Sequence, residues 1–188
     1  PLIPPSPACV LACLVASQVS PWPATLVGWD ASSDPCASTW TGVTCTGGSP
    51  TSVLLTQRGL AGSLPSSWAY VTSLQSIRLT SNSLRGSLHA SWSSLAQLTR
   101  LDLASNALSG PLPSSWSSLS SLRTLNLTAN ALTSSVPASW SALTLLTRVV
   151  LSDNPLLCGG VPAGVGAGVY SYANTLMPGA CPSPPPPP

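Results

Sequence analysis

From about Val53 to Val161 the apolar positions recur with a fixed period. Trp68, Trp92, Trp116 and Trp140 each follow the last by 24 residues, and Asn82, Asn106, Asn130 and Asn154 keep the same step. So do Leu60, Leu84, Leu108, Leu132 and Leu156, with Gly62, Gly86 and Gly110 in phase. Self-similarity at a period of roughly 20 to 30 residues is the signature of a solenoid, in which each coil buries its apolar face against its neighbours.

One unit runs from Leu98 through Leu101, Leu103, Asn106, Leu108, Gly110, Leu112, Pro113 and Trp116 to Leu119. Its L-x-L alternation predicts a short strand with one buried face. Five such strands are expected, centred on Leu54, Arg78, Asp102, Asn126 and Val150. The asparagine that follows each of the last four can hydrogen-bond backbone groups left unpaired in a bent turn, so Asn82, Asn106, Asn130 and Asn154 should stack as a ladder. The glycine permits a tight backbone path, and the proline stops regular pairing.

The phrase LPSSWSSLSSL (Leu112 to Leu122) then reads as the outer, irregular arc of a coil, with Trp116 and Leu119 turned inward. Aromatic side chains bring large apolar area to a core, and a row of exposed tryptophans would be an aggregation hazard. The competing reading makes the tryptophans a ligand-stacking platform.

These motifs resemble plant-type leucine-rich repeats. The stretch LVGWDASSDPCASTWTGVTC (Leu26 to Cys45) resembles the N-terminal cap of plant extracellular repeat proteins. NPLLCGGVP (Asn154 to Pro162), with the later Cys181, resembles their C-terminal cap. The Ser-Trp-rich arcs are also similar to those of green-algal and protozoan surface repeat proteins. The resemblance implies an α/β solenoid: a right-handed coil of five 24-residue repeats with a parallel concave sheet, capped at both ends. The expected division is residues 1–50 as N-terminal cap with a short helix and a cysteine pair, 51–157 as repeats, 158–181 as C-terminal cap and 182–188 as a proline-rich tail. Three departures leave the local arc geometry open: Arg58 stands where an Asn is expected, His89 for Pro and Ser134 for Gly.

A solenoid exposes an apolar cross-section at each end, which the caps must cover. Cys36 and Cys45 bracket Trp40, and Cys158 and Cys181 bracket a glycine-rich stretch. Two local disulfides are expected, each worth about 2–4 kcal/mol; the alternative is buried free thiols. Zinc fits poorly, with no CxxC pair and the single His far from the cysteines in sequence. The run Ala8 to Ala16 (ACVLACLVA) has two readings. It is a cap helix with Cys9 and Cys13 one turn apart on one face, where a mutual disulfide is disfavoured, or a signal-peptide remnant. Disulfide caps imply an oxidising compartment, and the sequon Asn126-Leu127-Thr128 agrees with secretion. The extracellular space or cell surface is therefore expected, and PSPPPPP (Pro182 to Pro188) should form polyproline II.

Charge narrows the function. Only 5% of the 188 residues are charged, the formal net charge is +2, and the six basic residues are scattered arginines. No basic stripe suits nucleic acid. No apolar run reaches the ~18 residues of a membrane helix, so membrane attachment would need a segment absent from this chain. With one His, no Glu and no GxSxG, phosphate loop or metal-ligand cluster, neither catalysis nor a cofactor or metal is expected.

A binding surface is definable. The middle residue of each L-x-L faces outward, giving the column Leu54, Arg78, Asp102, Asn126 and Val150. Two residues earlier lies the column Ser52, Ser76, Arg100, Thr124 and Arg148. Arg78, Arg100 and Arg148 suit carboxylates on a peptide or an acidic sugar. In the bland alternative Arg78 and Asp102 merely neutralise each other. A glycan on Asn126 would obstruct the strip, and the partner would then contact an edge or the convex side. The expectation is a non-catalytic module binding a protein, peptide or wall glycan in extracellular recognition or signalling. Receptor-kinase ectodomains are similar, as are small repeat proteins that inhibit wall-degrading enzymes. A structural wall or matrix protein anchored through its proline-rich tail is the other class.

Overall fold

A computed structural model describes residues 29, 33–37, 40–160, 162, 170–176 and 181. The cap-helix segment with Cys9 and Cys13 and the proline-rich tail lie outside the described residues. Five strands form at the expected positions: β2 (Ser49–Leu54), β4 (Ser76–Arg78), β6 (Arg100–Asp102), β8 (Thr124–Asn126) and β10 (Arg148–Val150). They pair in parallel, each with the next. β1 (Val43–Thr46) adds an antiparallel strand at one edge, and β12 (Tyr170–Ser171) a parallel one at the other, closing a seven-stranded sheet.

A second sheet was not evident from the sequence. The glycine-bearing segments β3 (Ala61–Ser63), β5 (Ser83–Ser87), β7 (Ala107–Pro111), β9 (Ala131–Ser135) and β11 (Leu156–Cys158) also stack in parallel. Gly62, Gly86 and Gly110 hold φ of 86°, 83° and 81°, the left-handed region that favours glycine. Ser134 takes the same place at φ 67°, so the coil keeps its path despite a Cβ there.

The serine arcs are not irregular. Each contains a 3₁₀ helix: η1 (Ser66–Tyr70), η2 (Ala90–Ser94), η3 (Ser114–Ser118) and η4 (Ala138–Ala142). The residue before each turn is extended, and His89 (φ −85°, ψ 124°) adopts the conformation of Pro65 (φ −82°, ψ 123°). The ring of His89 hydrogen-bonds the Leu64 carbonyl through Nε2 at 2.7 Å.

The core lies between the first sheet and the arcs. Val53, Ile77, Leu101, Leu125 and Val149 fill it from the strands, and Trp68, Trp92, Trp116 and Trp140 from the arcs, all fully buried. Burial rules out the tryptophans as a ligand platform. Trp68 stacks on Trp92 at 6.0 Å between ring centroids, and Trp116 on Trp140 at 6.2 Å. Buried indole N–H groups need acceptors. Trp92, Trp116 and Trp140 donate to the carbonyls of Pro65, His89 and Pro113, at 3.0, 2.9 and 3.0 Å.

The asparagine ladder forms as expected. Asn106 donates through Nδ2 to the carbonyls of Leu79 and Leu103, both at 3.0 Å, and its Oδ1 accepts from the Leu84 amide. Asn82, Asn130 and Asn154 repeat the arrangement. Where Arg58 replaces the first asparagine, its backbone N–H donates to Asn82 Oδ1 at 3.0 Å, which ties the first turn to the next coil.

Candidate ligand-binding face

Strand register brings the two sequence-derived columns together. Ser52, Ser76, Arg100, Thr124 and Arg148 are successive partners across the first sheet. So are Leu54, Arg78, Asp102, Asn126 and Val150. Parallel strands set neighbours in each column about 4.8 Å apart. Leu54 and Arg148 are exposed, while Ser76, Arg78, Arg100, Thr124, Asn126 and Val150 are half-buried.

Asp102 departs from the expected arrangement. It is only 8% exposed, and its partner is Arg100, at 3.5 Å, rather than Arg78. The cause lies in the preceding coil. Thr80 donates its hydroxyl to Asp102 Oδ1 at 2.9 Å, and the Ala104 amide reaches the same oxygen at 3.4 Å. These donors draw the carboxylate toward the turn, and Arg78 keeps its charge for the open face. Among the described residues Arg100 Nε is buried without a hydrogen-bond partner. The face carries three arginines, Arg78, Arg100 and Arg148, against one largely covered aspartate.

Thr80 was missed because its role depends on a carboxylate from another coil. Arg123, exposed just before β8, is a further cation beside the strip that the two columns omitted. At the sequon, Asn126 Oδ1 accepts from the Thr128 hydroxyl at 2.7 Å and the Thr128 amide at 3.2 Å. Among the described residues, no group of three or more His, Cys, Asp or Glu side chains could hold a metal ion, and no helix is long and apolar enough to cross a membrane.

The ends are cross-linked as expected. Cys36 is bonded to Cys45 and Cys158 to Cys181. Trp40, between the first pair, is buried against Trp29 at 4.9 Å between ring centroids. Its indole N–H donates to the Ser33 hydroxyl at 2.8 Å.

Sequence and fold comparisons agree on the class. Residues 10–46 match the leucine rich repeat N-terminal domain, and residues 97–119 match the leucine rich repeat. No curated protein matches the chain. The BIR2 ectodomain of Arabidopsis thaliana is similar in structure, with 29% identity, a TM-score of 0.80 and coverage of 90% of this chain and 92% of that one. A chain of the Arabidopsis BIR3–SERK2 complex is 30% identical, with a TM-score of 0.75 and coverage of 89% and 93%. The ectodomain of the Arabidopsis receptor kinase GASSHO1/SCHENGEN3, in complex with Casparian strip integrity factor 2, is 27% identical with a TM-score of 0.80. There 89% of this chain is covered but only 21% of the larger ectodomain. The chain belongs to the plant-type extracellular leucine-rich repeat proteins. Its disulfide-bonded ends fit the oxidising extracellular setting of that class.

Proposed function

We propose that this chain is a non-catalytic recognition module whose first sheet holds an extended, carboxylate-bearing peptide or protein segment. The observation that carries the reading is the charge on that face, where Arg78, Arg100 and Arg148 outnumber the one aspartate, itself drawn under by Thr80. Guanidinium groups bind carboxylates in a fixed fork. A face built on a hydrogen-bonded seven-stranded sheet loses little conformational freedom on binding. Two of the similar structures are complexes, BIR3 with SERK2 and GASSHO1/SCHENGEN3 with Casparian strip integrity factor 2, which supports a protein or peptide ligand here. A glycan on Asn126 would narrow the strip from its middle, so the unglycosylated face is the competent one.

Selection of random displayed peptides on the immobilised chain tests the reading. Peptides enriched in Asp and Glu should emerge, and their binding should fall about tenfold or more in Arg78→Ala/Arg148→Ala. Selected peptides without acidic bias, or binding indifferent to those substitutions, would refute it.

A further inference from the structure

The opposite, arc-bearing side has one position that breaks the repeat. In η2, η3 and η4 the last residue is Ser94, Ser118 or Ala142, but in η1 it is Tyr70. Tyr70 is 66% exposed, in a chain whose tryptophan ladder is fully buried. Tyr70 borders a shallow depression of about 510 Å³ between the first two arcs.

The rest of that lining is hydroxyl-rich and uncharged. Ser66, Ser67, Thr72, Ser91 and Ser94 line the depression with Ala69 and Tyr70. Two of them brace the floor: Ser91 donates to the Ser66 carbonyl at 3.2 Å, and Ser94 to the Ala69 carbonyl at 2.6 Å. In later arcs Ser115 and Ser139 spend their hydroxyls in the same way, on the carbonyls of Ala90 and Ser114. The hydroxyls of Ser66, Ser67 and Thr72 make no hydrogen bond among the described residues. The first arc thus combines an exposed aromatic face with three uncommitted hydroxyls on a braced backbone.

We propose that the Tyr70 depression is a binding site for a neutral oligosaccharide. A pyranose presents a face of polarised C–H groups, which suits the negative face of an aromatic ring. Its edge presents hydroxyls that both donate and accept, as Ser66, Ser67 and Thr72 do. The uncharged lining disfavours a charged ligand, which would lose hydration without gaining a counter-charge. A few convergent polar groups beside an apolar platform are the usual composition of a small-ligand site. The site is independent of the arginine strip and stands or falls separately.

The test is titration of the intact chain, carrying ¹³C-labelled tyrosine, with neutral glucan, mannan and xylan hexamers, and with a galacturonic acid hexamer as the charged control. The chain has three tyrosines, so Tyr70 is readily resolved by NMR. The Tyr70 ring signal should shift with at least one neutral hexamer, and less with the charged one. Tyr70→Phe should retain the affinity, and Tyr70→Ser, which installs the residue found in η2 and η3, should lower it about tenfold. Arg78→Ala should leave it unchanged. No Tyr70 shift with any neutral hexamer, preference for the charged one, or equal binding by Tyr70→Ser would overturn the proposal.

Discussion

Trp116 donates its indole N–H to the carbonyl of His89, 2.9 Å away and one coil earlier in the chain. The same bond joins Trp92 to Pro65 and Trp140 to Pro113. A serine-rich arc offers little apolar area of its own, so the tryptophan supplies both the arc's core contact and its tie to the preceding coil. Truncation should therefore remove two effects. Trp116→Ala is expected to destabilise by about 3–5 kcal/mol, the usual range for deleting a buried aromatic. Trp116→Phe keeps a ring but removes one of the two hydrogen bonds the His89 carbonyl accepts, the other coming from the Trp92 amide at 3.2 Å, and should cost about 0.5–1.5 kcal/mol beyond the lost volume. Urea unfolding followed by tryptophan fluorescence measures both. A near-neutral Trp116→Ala would contradict the buried ladder.

The glycine column carries an internal control. Gly110 has φ 81°, and a Cβ there would meet only the Ser87 Cβ at 3.7 Å, an ordinary contact. Any cost of Gly110→Ala is therefore backbone strain and not a clash. A left-handed conformation costs a non-glycine residue about 1–2 kcal/mol. Gly110→Ala should destabilise by about 1 kcal/mol, while Ser134→Gly should stabilise by a smaller amount, because glycine gives part of the gain back as unfolded-state entropy. Chemical denaturation of the two variants should move the midpoint in opposite directions.

The disulfides close short loops, with separations of 9 and 23 residues. Chain-entropy arguments assign each about 3 kcal/mol. Non-reducing peptide mapping should recover Cys36 with Cys45 and Cys158 with Cys181. Cys158→Ser/Cys181→Ser should lower stability by about 2–4 kcal/mol, with loss beginning at the end capped by β11 and β12. Hydrogen exchange that weakens first at the opposite end would argue against that capping role.

Burial raises the Tyr170 hydroxyl above its ordinary value of 10.0, and that oxygen has no hydrogen-bond partner among the described residues. The unfolded chain deprotonates near 10, while the folded one holds the proton to higher pH. Stability from this source is whole below pH 10 and is lost as pH rises through the raised value. Tyr170→Phe removes a buried hydroxyl that the described residues leave unpaired. It should be neutral or stabilising at pH 7 and should flatten the alkaline limb of thermal stability. An unchanged alkaline limb would assign that loss elsewhere.

The solenoid was legible because each column is written several times. Four tryptophans and four asparagines in one register leave little freedom in where strands and turns fall. The second sheet was not, because β5 reads SLRGS and buries only Leu84, which gives no alternation to detect. A column of left-handed residues was equally silent. Gln57, Ser81, Ser105, Ala129 and Asp153 all hold φ between 53° and 58°, with no glycine among them. Four of them directly precede the ladder asparagines, whose side-chain amides donate to carbonyls two and three residues earlier in the same turn. Gln57 adopts it before Arg58, so the conformation belongs to the turn and not to the residue type that adopts it. The candidate face was legible as an address list, since the strand register follows from the period. The pairing of Asp102 was not, because Thr80 and Asp102 are neighbours only after the coils stack.

That pairing makes Asp102 the most informative single residue on the face. Its carboxylate has two jobs that substitutions can separate. It accepts hydrogen bonds from Thr80 and Ala104, which is structural, and it opposes the charge of Arg100, which bears on ligands. Asp102→Asn keeps an acceptor oxygen for Thr80 and removes the charge, so stability should change by less than about 1 kcal/mol. Asp102→Ala removes the acceptor as well and should cost about 1–3 kcal/mol. If the strip binds carboxylates, both variants should bind acidic peptides more tightly than the parent, with a steeper dependence on salt, because Arg100 is released from its partner. Surface plasmon resonance at about 0.05 and 0.5 M salt, spanning weak to strong screening, separates the cases. Weaker binding by Asp102→Asn at unchanged stability would mean that the carboxylate itself contacts the ligand, and the face would then select a cationic partner.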